Sequence, residues 1–147
     1  MRYLKVTILS WIIAPSLSLA QMQNTESVGS IALFFESLNM RGVANTCTKA
    51  NPNFAGKFEP AFSKWLNKNS TALKQAERVF LGSNPQDPDS VRMRIVLNDL
   101  AKFVRGGTEI QDEQFRAINE AALQSIRELP KSQLGAICNK LLQQVGL

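Results

Sequence analysis

The sequence predicts an all-α protein: a compact bundle of about five helices with one disulfide, preceded by a cleaved N-terminal signal peptide. Three observations predict it. Apolar residues recur at three- and four-residue steps from about residue 28 onward, and no stretch alternates in the manner of a strand. Residues 31–47, read as a helix, are apolar on almost every side, so this helix has to be covered all round, while every later helix has a narrower stripe suited to covering it. The two cysteines, Cys47 and Cys138, lie far apart in a chain that carries an export signal.

The export signal comes first in the chain. Arg2 and Lys5 make a short basic start, residues 6–14 are an apolar run, and Pro15 interrupts it. Ser18 and Ala20 put small residues at the −3 and −1 positions of a cleavage site before Gln21. A membrane anchor is the rival reading, but a spanning helix needs about 20 apolar residues and this run is shorter. The predicted division is residues 1–20 as signal peptide, 21–26 as a loose start and 27–147 as a single all-α domain. About 127 mature residues suit one core.

The full chain has 17 basic and 12 acidic side chains, a net +5. Cleavage removes Arg2 and Lys5, which leaves 15 against 12, or +3. That balance suits an acidic partner or an anionic envelope surface. It is too dilute to argue for nucleic acid, which calls for a concentrated basic stripe. In an exported chain a cysteine pair reads as a disulfide, and two cysteines allow one connectivity. Closing so long a loop is worth roughly 4–5 kcal/mol in chain-entropy models.

Helix one runs to about Ala50, with Ser27 as its expected cap. Val28, Ile31, Phe35 and Leu38 form one stripe; Leu33, Met40 and Val43 form a second, with Glu36 among them. Gly42 leaves room for another helix, and Pro52 ends the segment. Helix two is expected over about residues 58–81 on Phe58, Phe62, Trp65, Leu73, Ala76 and Phe80. Asn69, Ser70 and Thr71 mark a kink or a change of helix within it, because all three compete for backbone hydrogen bonds. Trp65 is expected in the core, with Asn69 bonded to the backbone.

Asp87 and Pro88 start helix three, as cap and first-turn residue. Its face is Met93, Val96, Leu97, Leu100, Phe103 and Val104, and Gly106 and Gly107 stop it. Thr108 and Gln111 have capping-box spacing before helix four, whose stripe is Phe115, Ile118, Ala122, Ile126 and Leu129. Asp112 and Arg116, four apart, form a supporting pair. After Pro130, Ser132 caps helix five, with Leu134, Ile137, Leu141 and Val145 as its stripe and Cys138 beside it.

The chain contains no histidine, which removes the usual general base, the usual zinc ligand and the Ser-His and Cys-His nucleophile systems. No Ser-x-x-Lys, glycine-rich phosphate loop or EF-hand spacing occurs, and no cofactor or metal is expected. Carboxylate chemistry is what is left. Glu36 is the one weak catalytic candidate: if buried among Ala32, Leu33, Met40 and Val43, its pKa would rise and it could donate a proton in glycan cleavage. The plainer reading pairs it with an arginine such as Arg41 or Arg94. Lys57, Lys64 and Lys68 fall on one side of helix two. They read as a docking face for an acidic partner, or as a solvated face.

The favoured function is a small exported, periplasmic or secreted, non-enzymatic module that binds another envelope or secreted protein: an inhibitor, an immunity-type protein or a chaperone-like factor. The alternatives are a carboxylate-dependent enzyme on an envelope glycan, and a carrier of an apolar ligand in a cavity lined by Phe34, Phe35, Met40 and Met93. Intact mass spectrometry of the exported protein should give a chain starting at Gln21, lighter than the reduced form by the hydrogens lost in forming one disulfide. Two thiols alkylated without reduction would overturn the crosslink.

Overall fold

The computed structural model describes residues 25–106 and 109–147, and among them every regular element is a helix. The signal-peptide segment and Thr108 lie outside the described residues. The six helices are α1 (Thr25–Ala50), α2 (Asn53–Lys68), α3 (Ser70–Leu81), α4 (Pro88–Val104), α5 (Glu113–Arg127) and α6 (Lys131–Gln144). No helix among the described residues is long and apolar enough to cross a membrane.

The sixth helix comes from Asn69. Its backbone N–H and its side-chain Nδ2 both donate to the Trp65 carbonyl, at 3.1 and 2.9 Å. This pair of hydrogen bonds closes α2, and the Asn69 carbonyl then accepts from Leu73 N to open α3. The expected single second helix is therefore two, broken at the Asn69-Ser70-Thr71 cluster. Its start also lies earlier than Phe58. Asn51 accepts from Asn53 N through its side chain and from Phe54 N through its carbonyl, so the helix resumes directly after Pro52.

The chain is already helical at Thr25, which places Ser27 within the helix and buried rather than at the cap. Asp87 holds the cap position of α4 with Pro88 following, but its side chain makes no capping bond. The cap of α5 is Asp112, whose Oδ1 accepts from Phe115 N at 3.0 Å. Asp99 of α4 stabilises the same turn by accepting from Gln111 N and Asp112 N, at 2.8 and 2.9 Å. Engaged in capping, Asp112 does not pair with Arg116, which instead lies 3.7 Å from Glu109. Pro130, not Ser132, precedes the first residue of α6.

α1 packs against all five other helices, as its all-round apolar surface demands. The covering is uneven along its length. From Met40 to Ala44, and again at Thr46 and Cys47, every side chain is buried, whereas Val28 is 47% and Phe35 45% exposed. The reason is where the ties attach. The Cys47–Cys138 disulfide fastens α6 to the end of α1 across 91 residues of sequence. Gly42 admits α5: a Cβ there would sit 2.8 Å from Leu123 Cδ1 and 3.1 Å from Asn119 Oδ1. That approach also turns α5, so its buried residue is Leu123 while Ile118 is 56% exposed and Ala122 is exposed. The expected stripe shared only Phe115 and Ile126 with the real one, because polar Asn119 concealed it.

Arg41 supplies the third tie. It is 3% exposed in the middle of α1. Its Nη1 and Nη2 donate to Glu59 Oε1 and Oε2 on α2, at 2.5 and 2.9 Å. Its Nε donates to the Val104 carbonyl at the end of α4, at 2.8 Å. The guanidinium lies over the rings of Phe58 and Phe62, 5.4 and 5.1 Å from their centroids. These rings belong to a stacked series along α2, Phe54–Phe58–Phe62–Trp65. Trp65 sits at its half-buried end, packed against the core.

Replacing Arg41 by methionine leaves the Val104 carbonyl without its donor and should cost about 2–4 kcal/mol in urea unfolding. The glycines should respond with opposite signs. Gly42→Ala should lower stability by about 1 kcal/mol, the collision with Leu123 outweighing the gain in helix propensity, and Gly135→Ala, with open space around it, should raise it by about 0.5–1 kcal/mol. Equal effects at the two positions would contradict the close approach of α5.

Candidate functional site

The sequence nominated Glu36, Lys57, Lys64 and Lys68, and the structure separates them. Glu36 is exposed on α1, not buried among Ala32, Leu33, Met40 and Val43 as the proton-donor reading required. Neither arginine considered for it is its partner: Arg41 is bound to Glu59, and Arg94 is exposed on α4. The ligand-cavity residues are also dispersed. Phe34 and Met40 are core, Met93 is half-buried, and Phe35 is 45% exposed with its ring edge against Phe34 and Phe80.

Lys57, Lys64 and Lys68 are all exposed. At about 100° per residue the three fall within about 40° of one another, forming a single row down α2 about 16 Å long. None makes an ion pair with a described residue. The physical reason lies with the only acid of α2, Glu59. It sits about 200° round the helix from Lys57, where it is drawn to Arg41. Burying that arginine leaves the lysine row without a neutralising neighbour on its own helix.

At its Lys57 end the row meets an open groove between α2 and α6, of about 690 Å³. Gly56, Lys57 and Pro60 line one wall; Asn139, Leu142 and Gln143 line the other, with Leu147 at the end. Pro60 lies inside α2 and has no N–H to return to the Gly56 carbonyl, four residues back. Gly56 has no side chain to cover that carbonyl, and a Cβ there would meet nothing within 4 Å. The groove thus offers a backbone acceptor, two carboxamides and an ammonium group around a small apolar floor. Sequence reasoning found the lysines by their spacing. It missed the groove, since Pro60 and Asn139 meet only through the packing of α2 on α6.

A second cleft, of about 350 Å³, lies over Gly42 between α1 and α5. Leu123 and Phe103 line it together with Asn45, Lys49, Asn119, Glu120 and Arg127. Glu120 and Arg127 form a bidentate ion pair there. The hydrogen bonds from Arg127 hold the Glu120 carboxyl below its ordinary value of 4.5; burial opposes them, and the charges of Arg127, Lys49 and Arg116 add a weaker attraction. Arg127 is raised by the same pairing. Among the described residues no group of three or more Cys, Asp or Glu is placed to hold a metal ion.

No known protein family, no curated protein and no solved structure matches the chain.

Because the folded-state pKa of Glu120 is depressed, its pair with Arg127 stabilises the fold above the unfolded value and is lost as pH falls through the folded one. The side chains are 51% and 40% exposed, so the contribution is small. The Glu120 carboxyl carbon, followed by NMR, should titrate below 4.5, and Arg127→Met should move the midpoint back up toward that value. An unchanged midpoint would show that the pair does not persist in solution.

Proposed function

We propose that this chain is a small exported, non-enzymatic protein-binding module, of the inhibitor, immunity or chaperone-like kind. It acts in the periplasm or outside the cell after cleavage following Ala20. It binds an acidic segment of another envelope or secreted protein along α2. The observation that carries the reading is the row of Lys57, Lys64 and Lys68: three exposed ammonium groups on one helix whose only carboxylate is held by Arg41.

The geometry matches an extended peptide. A row of about 16 Å spans about five residues of extended chain at about 3.3 Å each. Acidic side chains of such a segment meet the lysines, while its backbone amides reach the Gly56 carbonyl and the carboxamides of Asn139 and Gln143. Charged contacts at an exposed row raise the encounter rate and fix the register; the groove supplies the shorter-range hydrogen bonds. Arg41 and the disulfide hold α2 and α6 in place on α1, so little ordering cost attends binding.

The test uses the C-terminally tagged protein expressed in its own host and recovered from the envelope fraction, in wild-type form and as K57E/K64E/K68E. Circular dichroism and thermal unfolding should be unchanged, because all three side chains are exposed. A single stoichiometric acidic protein should co-purify with the wild type and be lost from the triple variant. Retention of that protein by the triple variant, or recovery of no protein at all, would overturn the reading.

A further inference from the structure

A second basic face lies on α4, and its composition differs from that of α2. Val91 and Ile95 project from its outer side, 43% and 68% exposed. Asn98 and Lys102 continue the same row, since residues 91, 95, 98 and 102 fall within about 60° of one another on a helix. Arg94 and Arg105 flank the row on one side and Arg92 on the other, and all three are exposed. None of these four cations makes an ion pair with a described residue. Asp99, half-buried and lying between Ile95 and Arg92 around the helix, is engaged by the N–H groups of Gln111 and Asp112. Asp89 is in the first turn, where the helix dipole favours it.

We infer that the outer face of α4 is a docking surface for an anionic lipid bilayer. Val91 and Ile95 enter the headgroup boundary, and Arg92, Arg94, Lys102 and Arg105 contact lipid phosphates. The shape favours a planar surface over a protein segment. The two clefts described above lie elsewhere on the molecule. The projecting groups are branched aliphatics on a convex helix, flanked on both sides by long cations that can lie along the apolar surface while their charged ends stay in the headgroup layer. The opposite side of α4 is held by Val96, Leu97, Leu100 and Phe103 in the core, so the helix docks as part of the folded domain. The inference stands independently of the α2 reading.

The experiment is sedimentation of the full mature protein with vesicles of equal phosphatidylglycerol and phosphatidylcholine, against pure phosphatidylcholine, at low salt. Binding should be confined to the anionic vesicles and weaken as salt is added. Each cation near a charged bilayer is worth about fivefold in partitioning, so R92E/R94E/K102E should reduce it by at least about 100-fold. Ile95→Ser, which changes no charge, should reduce it by about tenfold. K57E/K64E/K68E alters net charge by the same amount as the α4 triple and should retain most of the binding. No partitioning onto anionic vesicles, or equal loss in both triple variants, would overturn the inference. So would loss of a co-purifying protein from the α4 triple with vesicle binding intact, which would make this face a protein interface.

Discussion

Arg41 is the constraint on which the rest of the arrangement depends. A guanidinium at 3% exposure is costly unless its charge and its donors are met, and three of its N–H groups are met by groups from two other helices. Glu59 comes from α2, the Val104 carbonyl from the last turn of α4, and the two aromatic faces again from α2. The carbonyl is one that α4 cannot satisfy internally, because the final turn of any helix leaves such acceptors without N–H partners. One side chain therefore sets the position of α2 and α4 on α1, and the requirement that each donor be satisfied makes that position specific.

That specificity carries through to the surface. Drawing Glu59 toward Arg41 removes the only carboxylate of α2 from the lysine side, and Asp99 of α4 is engaged by the N–H groups of Gln111 and Asp112. In both helices an acid is used for structure, which leaves the solvent-facing cations without ion pairs among the described residues. The chain's net charge of +5 is modest, but seven of its cations stand in these two rows. One row adjoins a groove with hydrogen-bonding walls and the other accompanies projecting aliphatics, so the two faces suit different surfaces.

The ties on α1 are also unevenly placed. Arg41, Gly42 and Cys47 lie within seven positions, so α2, α4, α5 and α6 converge on the C-terminal half of the central helix. The other half is flanked by the aromatic contact of Phe34 and Phe35 with Phe80 of α3, and its outer side stays open at Val28 and Phe35.

The sequence by itself determined the helical class, the central place of α1, the break at Asn69, the close approach at Gly42 and the pairing of the two cysteines. Each follows from local rules: period, backbone-competing side chains, absence of a Cβ, or a single possible connectivity. It also located the lysine row, because spacing along one helix suffices for that. Only the tertiary structure decided the partner of Arg41, the exposure of Glu36, the buried stripe of α5 and the groove beside Pro60. Arg41 could reach Glu36 or Glu59 as far as the chain order goes; the choice rests on which helix packs where. The α5 stripe was hidden because Asn119, a polar residue, faces the cleft over Gly42. Periodicity reports which residues share a face. It does not report which neighbour that face meets, since that depends on the contacts of all the helices together.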